Sequence, residues 1–236
     1  GGIYFLYGGD EFRKEEAVKE LIDIHLNQET RDFNLDIIRA SEVDLEHLAR
    51  TISTPPMLSE WRVVVVQGVQ HLSGTAKNRD IILNSIDSNL SGLVLVFSAT
   101  VPKGSKAKFY SSLKNKARAI QFDPISSDDI PGWLMEQSLE RFDIEVDAEA
   151  AMAMATSVGS DLGVLSQELE KLAVLASGED SIKKAHVMKA GITLPTQNRW
   201  QWFDLVGSRN FEHAIKILPA LLSQGENGVG LTIGLS

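Results

Sequence analysis

The sequence predicts an α/β domain of three layers with a parallel sheet, followed by helical units. Three observations carry this. Strand-like and helix-like segments alternate through the first half. The runs at 63–66, four valines, and 93–97 are continuously apolar, the pattern of strands covered on both faces. After Asp123-Pro124 the alternation stops, and only helical periodicity remains.

Each element has a local reason. Residues 3–7 form a short apolar, aromatic-rich run that ends at Gly8-Gly9, a buried strand and its turn. Asp10 caps a helix whose apolar positions Phe12, Ala17, Val18, Leu21, Ile22 and Leu26 follow the 3.6-residue period. Residues 35–39 are the second strand. Ser41 opens a helix through Leu45, Leu48, Ala49 and Ile52, which Pro55-Pro56 stops. Helices at 75–88 and 105–116 and a last strand at 119–122 complete the α/β pattern. Crossovers between such strands are right-handed and place helices on both faces of the sheet. In the second half Ser126 and Asp129 approximate a capping box with Pro131 in the first turn. Asp147 and Asp161 open two further helices, residues 182–191 a short fourth, and two more are expected at 197–208 and 210–224 after Pro195. The organisation expected is therefore 1–124, 125–194 and 195–236.

Composition narrows the classes. The chain has 236 residues, 43% hydrophobic and 23% charged, enough for a core without disulfide or metal staples. Its net charge of −9 argues against a large sequence-independent grip on nucleic acid phosphate. With no Cys there is no disulfide, thiolate metal site or Cys nucleophile, and the composition suits a reducing cytosol. No apolar run approaches the roughly 20 residues of a membrane helix, and no signal peptide is visible. The chain opens Gly1-Gly2 without Met and stops within an apolar stretch, so it reads as trimmed at both ends.

A strand, a Gly turn and a helix at the start of an α/β domain invite comparison with a phosphate-binding loop. That loop requires G-x-x-x-x-G-K-[ST], so that backbone amides and Lys cradle phosphate while a hydroxyl holds magnesium. Counted from Gly8, the second Gly is Arg13, the Lys is Lys14 and the hydroxyl is Glu15. Asp10 and Glu11 place negative charge at the helix terminus that should attract a triphosphate. The magnesium carboxylate expected at the end of a hydrophobic strand is replaced by Gln67-Gly68, a poor ligand and a residue without a side chain. Lys14 is then expected as a solvated surface lysine and Asp10 as an ordinary helix cap. His25, His47, His71, His186 and His213 are scattered without metal-ligand spacing, and no G-x-S-x-G elbow exists. No catalytic residue, cofactor or metal is expected.

Between the 41–54 helix and the strand at 63–66 lies Pro55-Pro56-Met57-Leu58-Ser59-Glu60-Trp61-Arg62. Connecting segments run over the surface. Met57, Leu58 and Trp61 either fold back as a lid over the sheet edge or form a hydrophobic plug for a partner pocket.

The chain resembles the delta subunit of the bacterial DNA polymerase III clamp loader over essentially its whole length. The resemblance runs through Tyr4-Phe5-Leu6-Tyr7-Gly8-Gly9-Asp10-Glu11-Phe12, Asp32-Phe33-Asn34-Leu35-Asp36, the segment 56–66, and 93–97 with its following basic helix. It is strongest at Gly159-Ser160-Asp161-Leu162 through Glu168-Leu169-Glu170-Lys171-Leu172, similar to the family's Gly-x-Asp-Leu…Glu-Leu-x-Lys-Leu helix. The resemblance implies an AAA+-type α/β domain, a helical lid domain and an all-helical collar, of which only the first helices are present. It implies a cytoplasmic, non-ATPase subunit within a DNA-directed DNA polymerase holoenzyme, which binds the ring-shaped sliding clamp and favours the open ring. Its other partners would be the remaining loader subunits, through the collar, and primed DNA within the assembly. The family's clamp-contacting hydrophobic pair sits just before the third strand, where Met57-Leu58 stand. The family often has Leu-Phe there, so Leu58 is a departure, and Trp61 is expected to supply the ring.

Two rival readings stand beside this one. A degenerate AAA+ ATPase, or a stator-like loader subunit, would share the architecture. A DNA-binding adaptor would show a basic stripe, for which Lys103, Lys106, Lys108, Lys114, Lys116 and Arg118 are the best candidates, although a solvated helix face explains them better.

Overall fold

The computed structural model describes residues 1–74, 76–87, 91–101, 107–192, 199–215 and 218. The chain divides into two compact units, Gly1–Pro124 and Ile125–Ser236. The boundary expected at 195 lies outside the described residues, as do Lys103 and Lys106 and most of the helix expected at 210–224.

In the first unit the strands are β1 (Gly2–Tyr7), β2 (Leu35–Arg39), β3 (Arg62–Gln67), β4 (Leu93–Ala99) and β5 (Arg118–Gln121). The helices are α1 (Glu11–His25), α2 (Arg31–Asn34), α3 (Leu45–Ser53), α4 (Ala76–Asp87) and α5 (Lys108–Lys116). The sheet runs β2-β3-β4-β1-β5, and every pairing is parallel. The period of two along each strand divides the core into two faces. Phe5, Val64, Val66, Leu95 and Phe97 point to one face, covered by Leu48 and Ile52 of α3, Ile82 and Ile86 of α4, and Phe109 and Leu113 of α5. Leu6, Val63, Val65, Val94 and Val96 point to the other, covered by Val18 and Ile22 of α1 and by Leu26. Three layers result, with the all-valine strand buried on both sides as its composition demands.

Three details of this unit differ from the sequence reading. The short helix α2 before β2 has no counterpart in that reading. Helix α3 begins at Leu45, because the Asp44 carboxylate rather than Ser41 accepts the first free amide, from His47 at 3.3 Å. A 3-10 turn, Val69–Leu72, follows β3 and drops Val69 and Leu72 into the core.

The second unit holds α6 (Ile130–Phe142), α7 (Ala148–Val158), α8 (Leu162–Leu175), α9 (Lys184–Lys189) and α10 (Arg199–Gly207). The expectation of helices alone is corrected here by β6 (Glu145–Val146) and β7 (Ser181–Ile182), which pair in parallel. Ile182 therefore belongs to a strand, not to α9. Runs of two residues carry no readable alternation; their pairing follows from packing α6 and α7 so that the segments before α7 and α9 meet. The capping box expected at Ser126 does not form, since its hydroxyl donates to the Asp129 carboxylate at 2.6 Å and α6 starts without a side-chain cap. Asp161 does cap α8, accepting from the Val164 amide at 3.0 Å. Near the chain end residues 211–215 are helical, and the Trp202 indole N–H donates to the Ala214 carbonyl at 3.1 Å.

The start of α9 depends on a charge cluster in which the buried His186 ring meets the exposed Lys183 and Glu179 side chains. His186 Nδ1 accepts the Lys183 amide at 3.0 Å, so the neutral ring carries its proton on Nε2, which faces Glu179 Oε1 at 3.1 Å. The Lys183 ammonium lies 3.3 Å from the same carboxylate. Hydrogen bonds from Lys183 and then His186 hold the Glu179 carboxyl below its ordinary value of 4.5. A depressed carboxylate stabilises the fold above its unfolded pKa, and that contribution is lost as pH falls through the lower folded value. Glu179→Gln should therefore lower the melting temperature slightly at neutral pH, where the carboxylate contributes, and converge on the parent in acid, so that its acid limb is flatter from neutral pH down to about pH 3. Melting curves across that range check it.

Candidate functional site

Two places bear on function, and they lie at opposite ends of the parallel sheet. At the carboxyl ends of β1, β3 and β4, where open α/β sheets bind ligands, Glu11, Lys14, Glu15, Gln67, Gly68, Gln70, Ser98 and Thr100 surround a pocket of about 200 Å3. The fold thus brings the phosphate-loop positions Lys14 and Glu15 to the magnesium positions Gln67 and Gly68.

Lys14 is not the solvated surface lysine that the sequence suggested. It is 1% exposed. Its ammonium donates to the carbonyls of Gly8 at 3.0 Å and Ala99 at 3.2 Å and meets Glu11 at 2.7 Å. The side chain has turned inward because the turn after β1 and the end of β4 present carbonyls that water cannot reach, and a buried acceptor without a donor is costly. Glu11 is held in turn by the Thr100 hydroxyl at 2.6 Å. Asp10 occupies the helix terminus itself: its carboxylate accepts the Arg13 amide at 3.0 Å and the Arg13 Nε at 2.6 Å. Arg13 also donates to the Asp123 carbonyl, so it ties α1 to the end of the unit.

Gly8 is required by space. At φ +132 its missing side chain leaves room for the Phe122 carbonyl, which a Cβ would meet at 2.1 Å. That close approach lets Asp10 N–H reach Phe122 O at 3.0 Å and Phe122 N–H reach Tyr7 O at 2.7 Å. The glycine that resembles the start of a phosphate loop thus serves strand closure.

A nucleoside triphosphate with magnesium does not fit this set of residues. The single buried cation is already satisfied, Glu11 and Glu15 add negative charge, and the helix terminus is capped by a carboxylate. The pocket is also below the roughly 300 Å3 at which ligand sites usually begin.

The second place lies at the amino ends of β2, β3 and β4. Pro55 and Pro56 end α3, and residues 57–60 bend outward. Met57 is 54% exposed and Leu58 88%. Leu58 has φ +55, the left-handed region that residues with a β-carbon avoid. Trp61 does not join them at the surface. Its ring packs on the α1 side of the core and meets His25 edge-on, with centroids 5.5 Å apart. The ring expected beside Leu58 is thus engaged in packing. Arg62 is buried, donating to the Phe33 carbonyl at 2.8 Å and pairing with Asp36. Asn34, which sequence reasoning passed over as a site residue, is fully buried against the Met57 backbone. Its only mark in the sequence was its place in the Asp32–Asp36 stretch that carried the resemblance.

Of the basic cluster, the Lys114 ammonium lies 3.9 Å from the Tyr7 ring centroid, and the Arg118 guanidinium lies over Tyr4 and donates to its hydroxyl at 3.2 Å. These cations pack on aromatic faces beside the exposed edge strand β5. Among the described residues no group of His, Asp and Glu could hold a metal ion, and no helix is long and apolar enough to cross a membrane.

A β2-β3-β4-β1-β5 parallel sheet with a Gly turn before α1 is the arrangement of an AAA+-type fold, here with Lys14 and Asp10 engaged by neighbouring groups at the start of α1. The comparisons agree with that class and narrow it. The Holliday junction branch migration motor RuvB of Thermotoga maritima shares the fold, with a TM-score of 0.51 at 13% identity over 87% of this chain and 68% of that one. A solved Bacillus subtilis DNA clamp loader delta protein superposes with a TM-score of 0.77 at 22% identity, covering 100% of this chain and 71% of its own. The curated DNA polymerase III subunit delta of Bacillus subtilis (strain 168) is 24% identical over 239 residues, 96% of this chain and 67% of that protein. The profile of the family described as DNA polymerase III, delta subunit, matches residues 4–123. The chain belongs to that family.

The buried ammonium gives a direct expectation. Lys14→Met keeps the aliphatic stem but strands the Gly8 and Ala99 carbonyls, and should lower stability by about 2–4 kcal/mol. Urea unfolding measures it. An effect below about 0.5 kcal/mol, the usual size for a surface lysine, would remove Lys14 from the structural core.

Proposed function

We propose that this chain is a non-catalytic clamp-loader subunit that grips the sliding clamp through Met57 and Leu58 and favours its open ring. The observation that supports it most is an apolar pair standing exposed, at the position of the family's clamp contact, in a chain of the delta family. An exposed pair, with Leu58 braced in a disfavoured backbone conformation, contributes little to its own core and presents apolar surface to a partner. Burying both side chains in a clamp pocket supplies on the order of 3–5 kcal/mol of gross transfer free energy, before the cost of association.

The subunit need not push. A surface that binds the clamp better with one interface parted shifts the ring population toward the open form. ATP hydrolysis is left to other subunits, because Lys14, Arg13 and Asp10 complete one another where a triphosphate would have to bind. The other loader subunits would assemble through the family's collar, of which this chain would carry only the beginning, and primed DNA would be met only within the assembly. A holoenzyme that works on bacterial DNA supports a cytoplasmic location. Trp61 keeps a supporting part under the tip rather than acting as an anchor. The cations Lys114 and Arg118 are occupied on tyrosine rings, which favours a solvated face over a DNA stripe.

Met57→Ala with Leu58→Ala should weaken binding to the cognate clamp by roughly 2–4 kcal/mol, as truncation of hot-spot residues does, while the melting temperature hardly moves. Calorimetric titration against the clamp and a thermal melt of the same variant read both. Unchanged clamp affinity, or a loss of several kcal/mol in stability, would take the pair out of the site. A second titration tests the nucleotide: micromolar, magnesium-dependent ATP binding would overturn the non-ATPase reading.

A further inference from the structure

We propose that Asn34 is the positioning residue for the Met57–Leu58 tip, an inference that rests on the clamp-contact reading of that tip. Asn34 is fully buried, so it cannot itself touch a partner. Its amide pairs with the backbone of a single residue across the chain. Nδ2 donates to the Met57 carbonyl at 2.8 Å, and Oδ1 accepts the Met57 amide at 2.7 Å. The second Nδ2 proton goes to the Thr30 carbonyl at 2.9 Å, at the start of α2, so both amide donors are used.

Met57 lies in no helix or strand, and these are the bonds that a neighbouring strand would otherwise supply. The next residue, Leu58, is the one whose conformation needs support. It has φ +55 and is 88% exposed, so it gains no burial in return for a backbone state that disfavours a β-carbon. A free segment would relax and swing the Leu58 side chain elsewhere. The segment is not free, because it is braced on both sides. Asn34 holds Met57 before the bend. After it, the Glu60 carbonyl is packed so closely on Gly92 that a Cβ there would lie 2.8 Å away, and Arg62 N–H donates to the Gly92 carbonyl at 2.8 Å. The residues just before β2, β3 and β4 thus form one rigid mount, with Asn34 as its polar clasp.

Asparagine is the residue this mount needs. Aspartate keeps an acceptor for the Met57 amide but sets a second oxygen against the Met57 and Thr30 carbonyls, and alanine removes both partners.

The test measures clamp affinity, well below the melting temperature, for Asn34→Asp and Asn34→Ala, each with the native tip and with Met57→Ala/Leu58→Ala. With the native tip each change at Asn34 should weaken binding about tenfold, as expected for the loss of two hydrogen bonds. With the truncated tip the same change should cost less than about twofold, because coupled residues are non-additive. Amide exchange at Met57 should quicken in Asn34→Asp while exchange in β3 does not. Equal losses on both tips would show that Asn34 acts through general stability and would overturn the proposal, as would a folded Asn34→Asp that binds like the parent. If Asn34→Ala fails to fold, Asn34→Asp decides. A truncated tip that binds the clamp like the parent overturns the clamp-contact reading and this inference with it. A truncated tip that binds weakly beside an unaffected Asn34→Asp overturns only the positioning role.

Discussion

The Lys14 ammonium, buried between the carbonyls of Gly8 and Ala99, is the interaction on which the first unit turns. It ties α1 to the ends of β1 and β4 at the place where an AAA+-type domain would hold a phosphate. A charge so enclosed is tolerable only with several acceptors around it, and the two carbonyls with Glu11 provide them. The helix terminus is closed off in the same way by Asp10 and Arg13. What remains is a scaffold that carries its own counter-ions and has little room for a ligand to change its shape.

With that end of the sheet closed, the exposed apolar side chains stand at the other end. In an all-parallel sheet the turns entering the strands gather at one edge and the turns leaving them at the opposite edge. Asn34, Trp61 and Gly92 each stand just before a strand, so segments distant in sequence meet beneath the Met57–Leu58 tip. The tip is exposed because its support is buried. Asn34, Arg62 and Gly92 hold the backbone from inside, and the apolar side chains of Met57 and Leu58 are left outside. Rigidity matters for a contact of this kind, since a preorganised apolar pair loses less conformational freedom on binding than a flexible one.

Much of this was legible in the residues. The all-valine run at 63–66 and the apolar run at 93–97 could only be central strands, and both lie at the middle of the sheet. The replacement of the second loop glycine by Arg13, and of the strand-end carboxylate by Gln67-Gly68, pointed to missing nucleotide chemistry before any geometry was known. Helix limits set by charged caps were less legible. Asp44 displaced Ser41 as the start of α3 because its carboxylate reached a free amide, and pattern alone does not rank two nearby caps. The two-residue strands β6 and β7 were invisible, since they are too short for a period and are formed by contact between distant segments.

The sequence by itself determined the order and type of the main elements, the two-sided burial of the sheet and the departure from a phosphate loop at its second Gly, its hydroxyl and the strand-end carboxylate. These follow from periodicity, turn chemistry and side-chain identity, which are local properties. The tertiary structure alone decided where Lys14 points, that Trp61 packs inward while Met57 and Leu58 stand out, and that Asn34 clasps Met57 from 23 residues away. A lysine turns inward only when unpaired carbonyls from another strand await it, and an asparagine clasps a backbone only when the fold delivers that backbone to it. Such outcomes depend on which distant atoms meet, and the order of residues along the chain does not contain that information in readable form.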